Sequence, residues 1–273
     1  MELPSLRSLL FAPGSEERKL RNALEAGADA VVADLEDGVA PDRKELAREV
    51  VAGVFAGPRG PAARLVRVNP PDSPHFAADL ALVAGLGLDA LVVPKATAAS
   101  VAALPASSPP LIAIAETAEG VRSAFETASS PRVAALALGA ADLAVEIRLR
   151  PRADGLEILY ARSKLVVDSA AAGIRPPFDV VHFDVRDDAG LEAECELARS
   201  LGLGGKLCIH PAQVPIVNRA FAPAEEELEW AREVLTAYER GLAEGRGAVA
   251  LDGEMIDMPI VKQARAILER GGS

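Results

Sequence analysis

The stretch VVADLEDGVAP, residues 31–41, places three carboxylates directly behind a short apolar run. Two valines and an alanine lead into Asp34, Leu35, Glu36 and Asp37, and a glycine and a proline follow. The apolar lead-in predicts a buried strand with the acids at its carboxyl end. Three carboxylates within four positions repel one another, so this stretch has an electrostatic cost that the site around it must explain.

Similar apolar runs recur along the chain, and most are nearly continuous, which is typical of parallel strands buried on both faces. Eight strands are predicted: SLLFAP (8–13), AVVADLED (30–37), RLVRVN (64–69), ALVVPK (90–95), LIAIAET (111–117), VAALALGAADL (133–143), VVHFDV (180–185) and KLCIHP (206–211). Helix-like stretches lie between them. The first, SEERKLRNALEAG, is predicted to begin at a Ser15 cap and to close on Gly27.

Eight strands alternating with helices predict a closed TIM (β/α)8 barrel of the α/β class. An open doubly wound sheet is the alternative, although no glycine-rich dinucleotide fingerprint follows the first strand. We assign residues 1–220 to the barrel and 221–273 to a C-terminal helix and arm, expected to pack on the barrel or on an adjacent subunit. Glycines 241, 245 and 247 predict a hinge before the arm.

Composition limits the possible partners. The net charge is −11, from 40 acidic and 29 basic residues, which argues against nucleic acid or an anionic membrane surface. Only two cysteines occur among the 273 residues, so a disulfide framework is not expected and a cytoplasmic location is. The apolar runs are too short for a signal peptide or a membrane span.

Polar residues stand at the carboxyl ends of the predicted strands. In a parallel barrel these ends meet at one mouth, where active sites are built. In chain order they are Pro13 with Gly14; Asp34, Glu36 and Asp37; Arg67 with Asn69; Lys95; Glu116; Asp142; Asp184; and His210.

Glu116 and Asp142 follow neighbouring strands and are the candidate metal ligands. No histidine or thiolate stands beside them, and two carboxylates form a hard oxygen site that favours Mg²⁺, with substrate oxygens and waters completing the shell. The small residues Gly139, Ala140 and Ala141 before Asp142 leave room for a ligand. Helix capping or salt bridging is the alternative role for both acids.

Basic residues near the mouth are candidates for binding an anionic substrate. Arg67, flanked by apolar residues, can clamp a carboxylate, or it can pair structurally with an acid of the 34–37 stretch. Lys95 can hold another anionic oxygen or neutralise those acids. Arg18 and Lys19 lie near a helix start that can receive phosphate, although a solvated face is the usual outcome. His210 is more often structural than catalytic in such a setting.

The motifs FAPGS, DLEDGVAP, RVN, PKA, ETAEG, LGAADL, CIHPAQV and GEMIDMP, in this order, resemble the citrate lyase β-subunit family, with its malyl-CoA and citramalyl-CoA lyases and more distant hydroxy-acid aldolases. The resemblance implies a TIM barrel in which Glu116 and Asp142 bind Mg²⁺ and Arg67 holds a substrate oxygen. It also implies that the acids at 34, 36 and 37 hydrogen-bond to metal-bound water. Asp257 would be the proton donor, supplied by an adjacent subunit of a trimer or hexamer.

The activity implied by the resemblance is Mg²⁺-dependent cleavage of a 3-hydroxy-3-carboxyacyl thioester of the citryl-CoA type to a keto acid, such as oxaloacetate, and acetyl-CoA. Two alternatives remain open: an aldolase acting on free hydroxy-keto acids, and a keto-acid-binding subunit with little activity alone. The last would work with acyl-carrier and transferase subunits, and the sequence does not rank citryl-, malyl- and citramalyl-CoA.

Overall fold

The computed structural model describes residues 6–152 and 154–271 and contains a closed barrel of eight parallel strands in the order β1 to β8, with β8 beside β1. This confirms the predicted TIM barrel. The strands are β1 (Ser8–Pro13), β2 (Ala30–Asp34), β3 (Ala63–Arg67), β4 (Ala90–Val93), β5 (Leu111–Ala115), β6 (Val133–Leu138), β7 (Arg175–Asp179) and β8 (Gly205–Cys208).

Alternation along each strand divides the core into two layers. On β2, Val32 points into the barrel, where it packs with Leu9 and Leu65, while its neighbours Val31 and Ala33 face the helices. Side chains on both faces of the strands are buried, which explains why the runs read as continuous apolar segments.

Ten helices accompany the barrel strands in the described part of the first compact unit, Met1–Phe221. They are α1 (Glu17–Leu24), α2 (Lys44–Phe55), α3 (Phe76–Ala84), α4 (Ala98–Ala102), α5 (Ala118–Arg122), α6 (Ala124–Ala128), α7 (Ala140–Ile147), α8 (Leu159–Ala172), α9 (Asp188–Leu201) and α10 (Gln213–Phe221). Short 3₁₀ turns precede α2 and α8.

The seventh strand differs from the prediction. It is formed by Arg175–Asp179, and the predicted run 180–185 is a loop. Pro176 and Pro177 lack amide hydrogens, which disfavours a regular strand, and the ladder to β6 is irregular there and pairs only at Arg175 and Phe178. As a consequence, Asp184 lies in the loop rather than at a strand end.

The predicted Ser15 cap is also wrong. Helix α1 begins after Glu16, and that residue makes no side-chain cap. Instead, the Glu16 amide donates to the Pro13 carbonyl and the Gly14 amide donates to the Asp34 carbonyl. These two bonds make a tight turn that carries the chain from β1 to α1 and ties it to β2. Helix α1 ends at Leu24 with Glu25 as its C-cap, so Gly27, in the left-handed region at φ 77°, lies two residues beyond the cap instead of closing the helix.

The second compact unit, Ala222–Ser273, contains α11 (Glu225–Ala243), a hairpin of β9 (Val249–Leu251) and β10 (Glu254–Ile256), and α12 (Met258–Gly271). Val234, Tyr238 and Val261 form its buried core, and Trp230 packs against it. Gly241 lies inside α11 rather than at a hinge, and its missing side chain leaves space for Val249. Across the described residues, no helix is long and apolar enough to cross a bilayer.

Candidate active site at the barrel mouth

A cavity of about 370 Å³ opens at the carboxyl ends of the strands and collects most of the predicted site residues. Polar and small residues from β1 to α7 form one part of it, and apolar side chains complete it. The lining residues are Phe11, Ala12, Pro13, Asp34, Asp37, Gly38, Arg67, Ile114, Glu116, Leu138, Gly139, Ala140, Ala141, Asp142, Val181, Phe183, Leu207 and Ile209.

Asp34, the last residue of β2, is a fully bonded carboxylate. It accepts hydrogen bonds from the amides of Glu36 (2.9 Å) and Gly38 (2.8 Å), which shape the turn after the strand. Arg67 donates to both of its oxygens, at 2.8 and 2.7 Å. Burial acts to raise the pKa of Asp34, but the Arg67 charge and these hydrogen bonds lower it below its usual value.

Arg67, at the end of β3, holds two acids at once. Besides its two bonds to Asp34, its Nη1 lies 3.0 Å from Glu36 Oε2. That contact lacks hydrogen-bond geometry, so Glu36 Oε2 has no hydrogen-bond donor among the described residues. The guanidinium also lies 5.2 Å from the centre of the Phe11 ring. From the sequence, Arg67 could clamp a substrate carboxylate or pair with an acid of the 34–37 stretch. In the structure it pairs with these acids and also lines the cavity.

Lys95, two residues beyond β4, has a left-handed backbone with φ 47°, a conformation that costs a lysine free energy and is concentrated at functional sites. Its amide donates to Glu116 Oε1 at 2.7 Å. Its ammonium lies 2.6 Å from Glu36, 3.4 Å from Asp142 and 3.7 Å from Asp37. Burial opposes the charged form, but Glu36 and the other acids raise the pKa of Lys95.

Glu116 follows β5 and is only 6% exposed. Burial raises its pKa to about 7; the Lys95 amide opposes this, and the charges of Glu36 and Asp142 reinforce it. Gly139 packs so closely that a Cβ there would lie 2.5 Å from Glu116 Oε2. The carboxyl group is therefore held in place by its neighbours, and its charged form is disfavoured unless a cation is bound nearby.

A buried network beneath the site was not identified from the sequence. The Lys44 ammonium donates to the carbonyls of Leu35 and Glu36, both at 2.7 Å, and to Asn69 Oδ1 at 2.8 Å. Asn69 in turn donates to Asp79 at 2.7 Å. Lys44 lies in α2, so this network fixes the turn that carries Glu36. The only sequence signal for this network was that Lys44 stands on the buried face of a predicted helix.

The donor set fits a hard divalent cation. Among the described residues, Asp34, Glu36, Asp37, Glu116 and Asp142 stand near three cationic side chains, Arg67, Lys95 and the underlying Lys44, so negative charge is in excess. Within the described residues, no three His, Cys, Asp or Glu side chains are grouped to hold a metal by themselves. A two-carboxylate site suits Mg²⁺, which keeps several waters and takes further oxygens from a substrate.

The first turn of α7 faces the same cavity. Gly139 precedes the helix, and Ala140 and Ala141 begin it. The first amides of a helix have no partner within it and attract negative groups. The Gly139 amide already donates to the Ala115 carbonyl at 3.1 Å. Of the three small residues predicted to lie against substrate, Ala140 and Ala141 therefore combine space with hydrogen-bond donors beside Asp142.

Other predicted residues lie elsewhere. Arg18 and Lys19 are exposed on α1 and are not among the residues that line the cavity. His210 is exposed, and its Nδ1 accepts a bond from the Ala212 amide at 3.2 Å. Asp257 belongs to the second unit, where it precedes α12 and its carbonyl accepts a bond from the Val261 amide.

The fold and this mouth together define a TIM-barrel protein whose cavity gathers carboxylates beside a buried arginine. A sequence profile of the HpcH/HpaI aldolase/citrate lyase family matches residues 7–211, and the chain belongs to that family.

Two curated relatives and one solved structure illustrate the similarity. A (3S)-malyl-CoA thioesterase of Cereibacter sphaeroides is 38% identical over 97% of this chain and 94% of its own. The citrate lyase subunit beta of Haemophilus influenzae is 33% identical over 98% and 97%. The crystal structure of CitE from Mycobacterium tuberculosis in complex with magnesium, acetoacetate and coenzyme A has a TM-score of 0.85 and 34% identity, covering 98% of this chain and 99% of its own.

Proposed function

We propose that the protein is a Mg²⁺-dependent carbon–carbon lyase that cleaves a 3-hydroxy-3-carboxyacyl thioester to a keto acid and acetyl-CoA. The observation that carries the proposal is one cavity that combines Glu116, Asp142 and Arg67. The CitE structure that resembles this chain contains magnesium, a keto acid and coenzyme A, which are the components that this reaction requires.

Glu116 and Asp142 are the residues that would hold the metal. Bound Mg²⁺ would polarise the substrate hydroxyl and stabilise the developing keto acid. The amides at the start of α7 are placed to orient the substrate carboxylate. Asp34, Glu36 and Asp37 surround this region. Their ion pairs with Arg67 and Lys95 hold these two cationic side chains in position.

Arg67 is suited to stabilising the charge that develops during cleavage. The hydroxyl proton passes to water in the open mouth, the bond between the carbinol carbon and the methylene breaks, and its electron pair passes to the thioester as an enolate. A guanidinium that is already buried and oriented by Asp34 stabilises this oxygen without reorganising. Proton delivery to the enolate carbon, which completes acetyl-CoA, is the role proposed for Asp257 from an adjacent subunit of a trimer or hexamer.

The first experiment supplies citryl-, malyl- and citramalyl-CoA separately to the purified protein with Mg²⁺ and follows release of the keto acid. We expect cleavage that a chelator abolishes. Glu116→Ala and Asp142→Ala should lose Mg²⁺ binding and turnover together while the thermal transition persists, whereas Asp184→Ala, an exposed loop acid, should retain both. Full activity in both cavity variants would refute the metal assignment.

The Asp257→Asn variant tests the proton donor. A large loss of thioester cleavage with unchanged Mg²⁺ binding is expected, because an amide cannot supply the proton. Unchanged thioester cleavage would remove Asp257 from the mechanism. Retro-aldol turnover of a free hydroxy-keto acid that is unaltered in Asp257→Asn would favour the aldolase.

A second candidate is hydrolysis of the thioester, favoured by the malyl-CoA thioesterase among the relatives. The products separate the two reactions, because the lyase releases a keto acid and keeps the thioester, whereas hydrolysis releases free thiol. Measuring thiol and keto acid in the same sample decides between them. Neither product, with Mg²⁺-dependent keto-acid binding intact, would favour a binding subunit that works with acyl-carrier and transferase subunits, as the citrate lyase relative suggests.

A further inference from the structure

The cavity at the mouth has two chemically different halves. The ends of β2 to β6 contribute its charged groups. The contiguous arc of β7, β8 and β1 contributes apolar side chains, because β8 pairs with both of its neighbours. The apolar residues of this arc are Phe11, Pro13, Val181, Phe183, Leu207 and Ile209.

The cations near the cavity are already engaged. Among the described residues that line it, Arg67 is the only cation; it donates to both Asp34 oxygens, and its Nη1 lies 3.0 Å from Glu36 Oε2. Its guanidinium lies 5.2 Å from the centre of the Phe11 ring, at the edge of the apolar residues, where the proposed mechanism assigns it to the enolate oxygen. Lys95 borders the charged half, where Glu36 holds its ammonium at 2.6 Å. No basic side chain of the described lining stands on the apolar arc.

We propose, on the basis of the function proposed above, that the carbinol carbon of the substrate carries hydrogen or a methyl group rather than a carboxymethyl group. The metal and the amides at the start of α7 would bind one substrate carboxylate. A second would lie against the apolar arc or beside the acids of the charged half. Either place is unfavourable: a carboxylate desolvated against the inner part of the arc, where Leu207 is only 5% exposed, needs a cation or hydrogen-bond donors, and one beside the acids is repelled.

A hydrogen or methyl substituent has no such requirement. Leu207 and Phe11 provide an apolar surface on which a methyl group gains contact. The structure therefore assigns to the apolar arc the recognition of the substituent on the carbinol carbon. It ranks malyl- and citramalyl-type thioesters above the citryl type. This ranking was not accessible from the sequence, in which no residue could be matched to that group.

The test compares kcat/KM for malyl-, citramalyl- and citryl-CoA, following both keto acid and free thiol. We expect malyl- or citramalyl-CoA to exceed citryl-CoA by about tenfold or more. Equal or faster turnover of citryl-CoA would overturn this inference and leave the lyase intact. Turnover of none of the three would overturn the proposed function itself.

A charge introduced on the arc provides a second test. Ile209 lines the cavity and is 39% exposed, so Ile209→Lys can be accommodated without burying the new charge. It should raise kcat/KM for citryl-CoA relative to citramalyl-CoA by about threefold or more at low ionic strength. Val185→Lys is the matched control, because Val185 is 37% exposed and lies outside the cavity lining. An unchanged ratio in a folded Ile209→Lys protein would contradict the assignment of the arc.

Binding of the keto-acid products gives a measurement that does not depend on turnover. With Mg²⁺ present, glyoxylate or pyruvate should bind more tightly than oxaloacetate, because only oxaloacetate carries the second carboxylate. The Ile209→Lys variant should reduce this difference. Tighter binding of oxaloacetate to the unaltered protein would refute the inference.

Discussion

Glu116 couples metal binding to proton release, and this coupling can be measured by changing pH. Burial and the charges of Glu36 and Asp142 raise the pKa of Glu116 to about 7, whereas a metal ligand must be ionised. Protons and Mg²⁺ therefore compete for the same carboxylate. Affinity for Mg²⁺ should fall as pH falls through this pKa, and it should level off above it.

The magnitude follows from the pKa. With a pKa of about 7, Glu116 is almost fully ionised at pH 8 and about one-tenth ionised at pH 6, so the apparent Kd for Mg²⁺ rises about tenfold, or about 1.4 kcal/mol, between these values. At pH 7 about half a proton should leave for each Mg²⁺ bound.

Isothermal titration with Mg²⁺ at pH 6, 7 and 8, in buffers that differ in ionisation enthalpy, reports both affinity and proton count. Asp184→Asn is the control, because that exposed carboxylate should change neither. An apparent Kd that stays constant from pH 6 to 8, with no proton release at pH 7, would refute the reasoning. It would show that Glu116 is already ionised or is not a ligand.

The same pKa has a consequence for the metal-free fold. The folded-state pKa of Glu116, about 7, lies above the value of 4.5 for a free carboxyl, so the folded protein binds the extra proton in this interval. Stability from this group is therefore fully present below pH 4.5 and is lost as pH rises through 7. Glu116→Gln should remove this loss, so that the metal-free variant unfolds at a higher temperature than the unaltered protein at pH 8.

Two further substitutions test how the site is held. Gly139→Ala should displace Glu116, because the new Cβ would lie 2.5 Å from its Oε2; we expect weaker Mg²⁺ binding by titration and a loss of about 1–3 kcal/mol in the free energy of unfolding. Gly53→Ala, where nothing lies within 4 Å of the added atom, should leave binding unchanged. Lys44→Met should remove the bonds that hold the turn of Glu36, costing about 1–3 kcal/mol and lowering kcat more than it raises KM. Partial recovery of kcat in Lys44→Arg would support positioning, and an unchanged kcat in Lys44→Met would contradict it.

The strands and their order were predictable because burial on both faces leaves a clear apolar signal. Seven of the eight runs contain the observed strands or overlap them. The seventh failed because Pro176 and Pro177 resemble a break, and the chain tolerates them only through an irregular ladder to β6. That compensation is a property of two neighbouring strands, so the local sequence could not reveal it.

The candidate site was predictable as a set of residues but not as an arrangement. Strand ends of a parallel barrel converge by topology, which brought Arg67, Glu116 and Asp142 into one cavity. The left-handed backbone of Lys95, which aims its amide at Glu116, has no signal in the motif PKA. The role of Lys44 was equally hidden, because its partners are backbone carbonyls contributed by another part of the chain.

The structure shows which partners surround the three carboxylates at residues 34–37. Asp34 is neutralised by Arg67, and Glu36 by Arg67 and Lys95, while the side chain of Asp37 is 63% exposed and screened by water. Ion pairs within the protein therefore offset much of their mutual repulsion. The carboxylate whose charge is not offset in this way is Glu116, and its raised pKa reflects its burial beside Asp142. Because the demand for positive charge is concentrated there, removing the metal should perturb Glu116 and leave the pair between Asp34 and Arg67 intact.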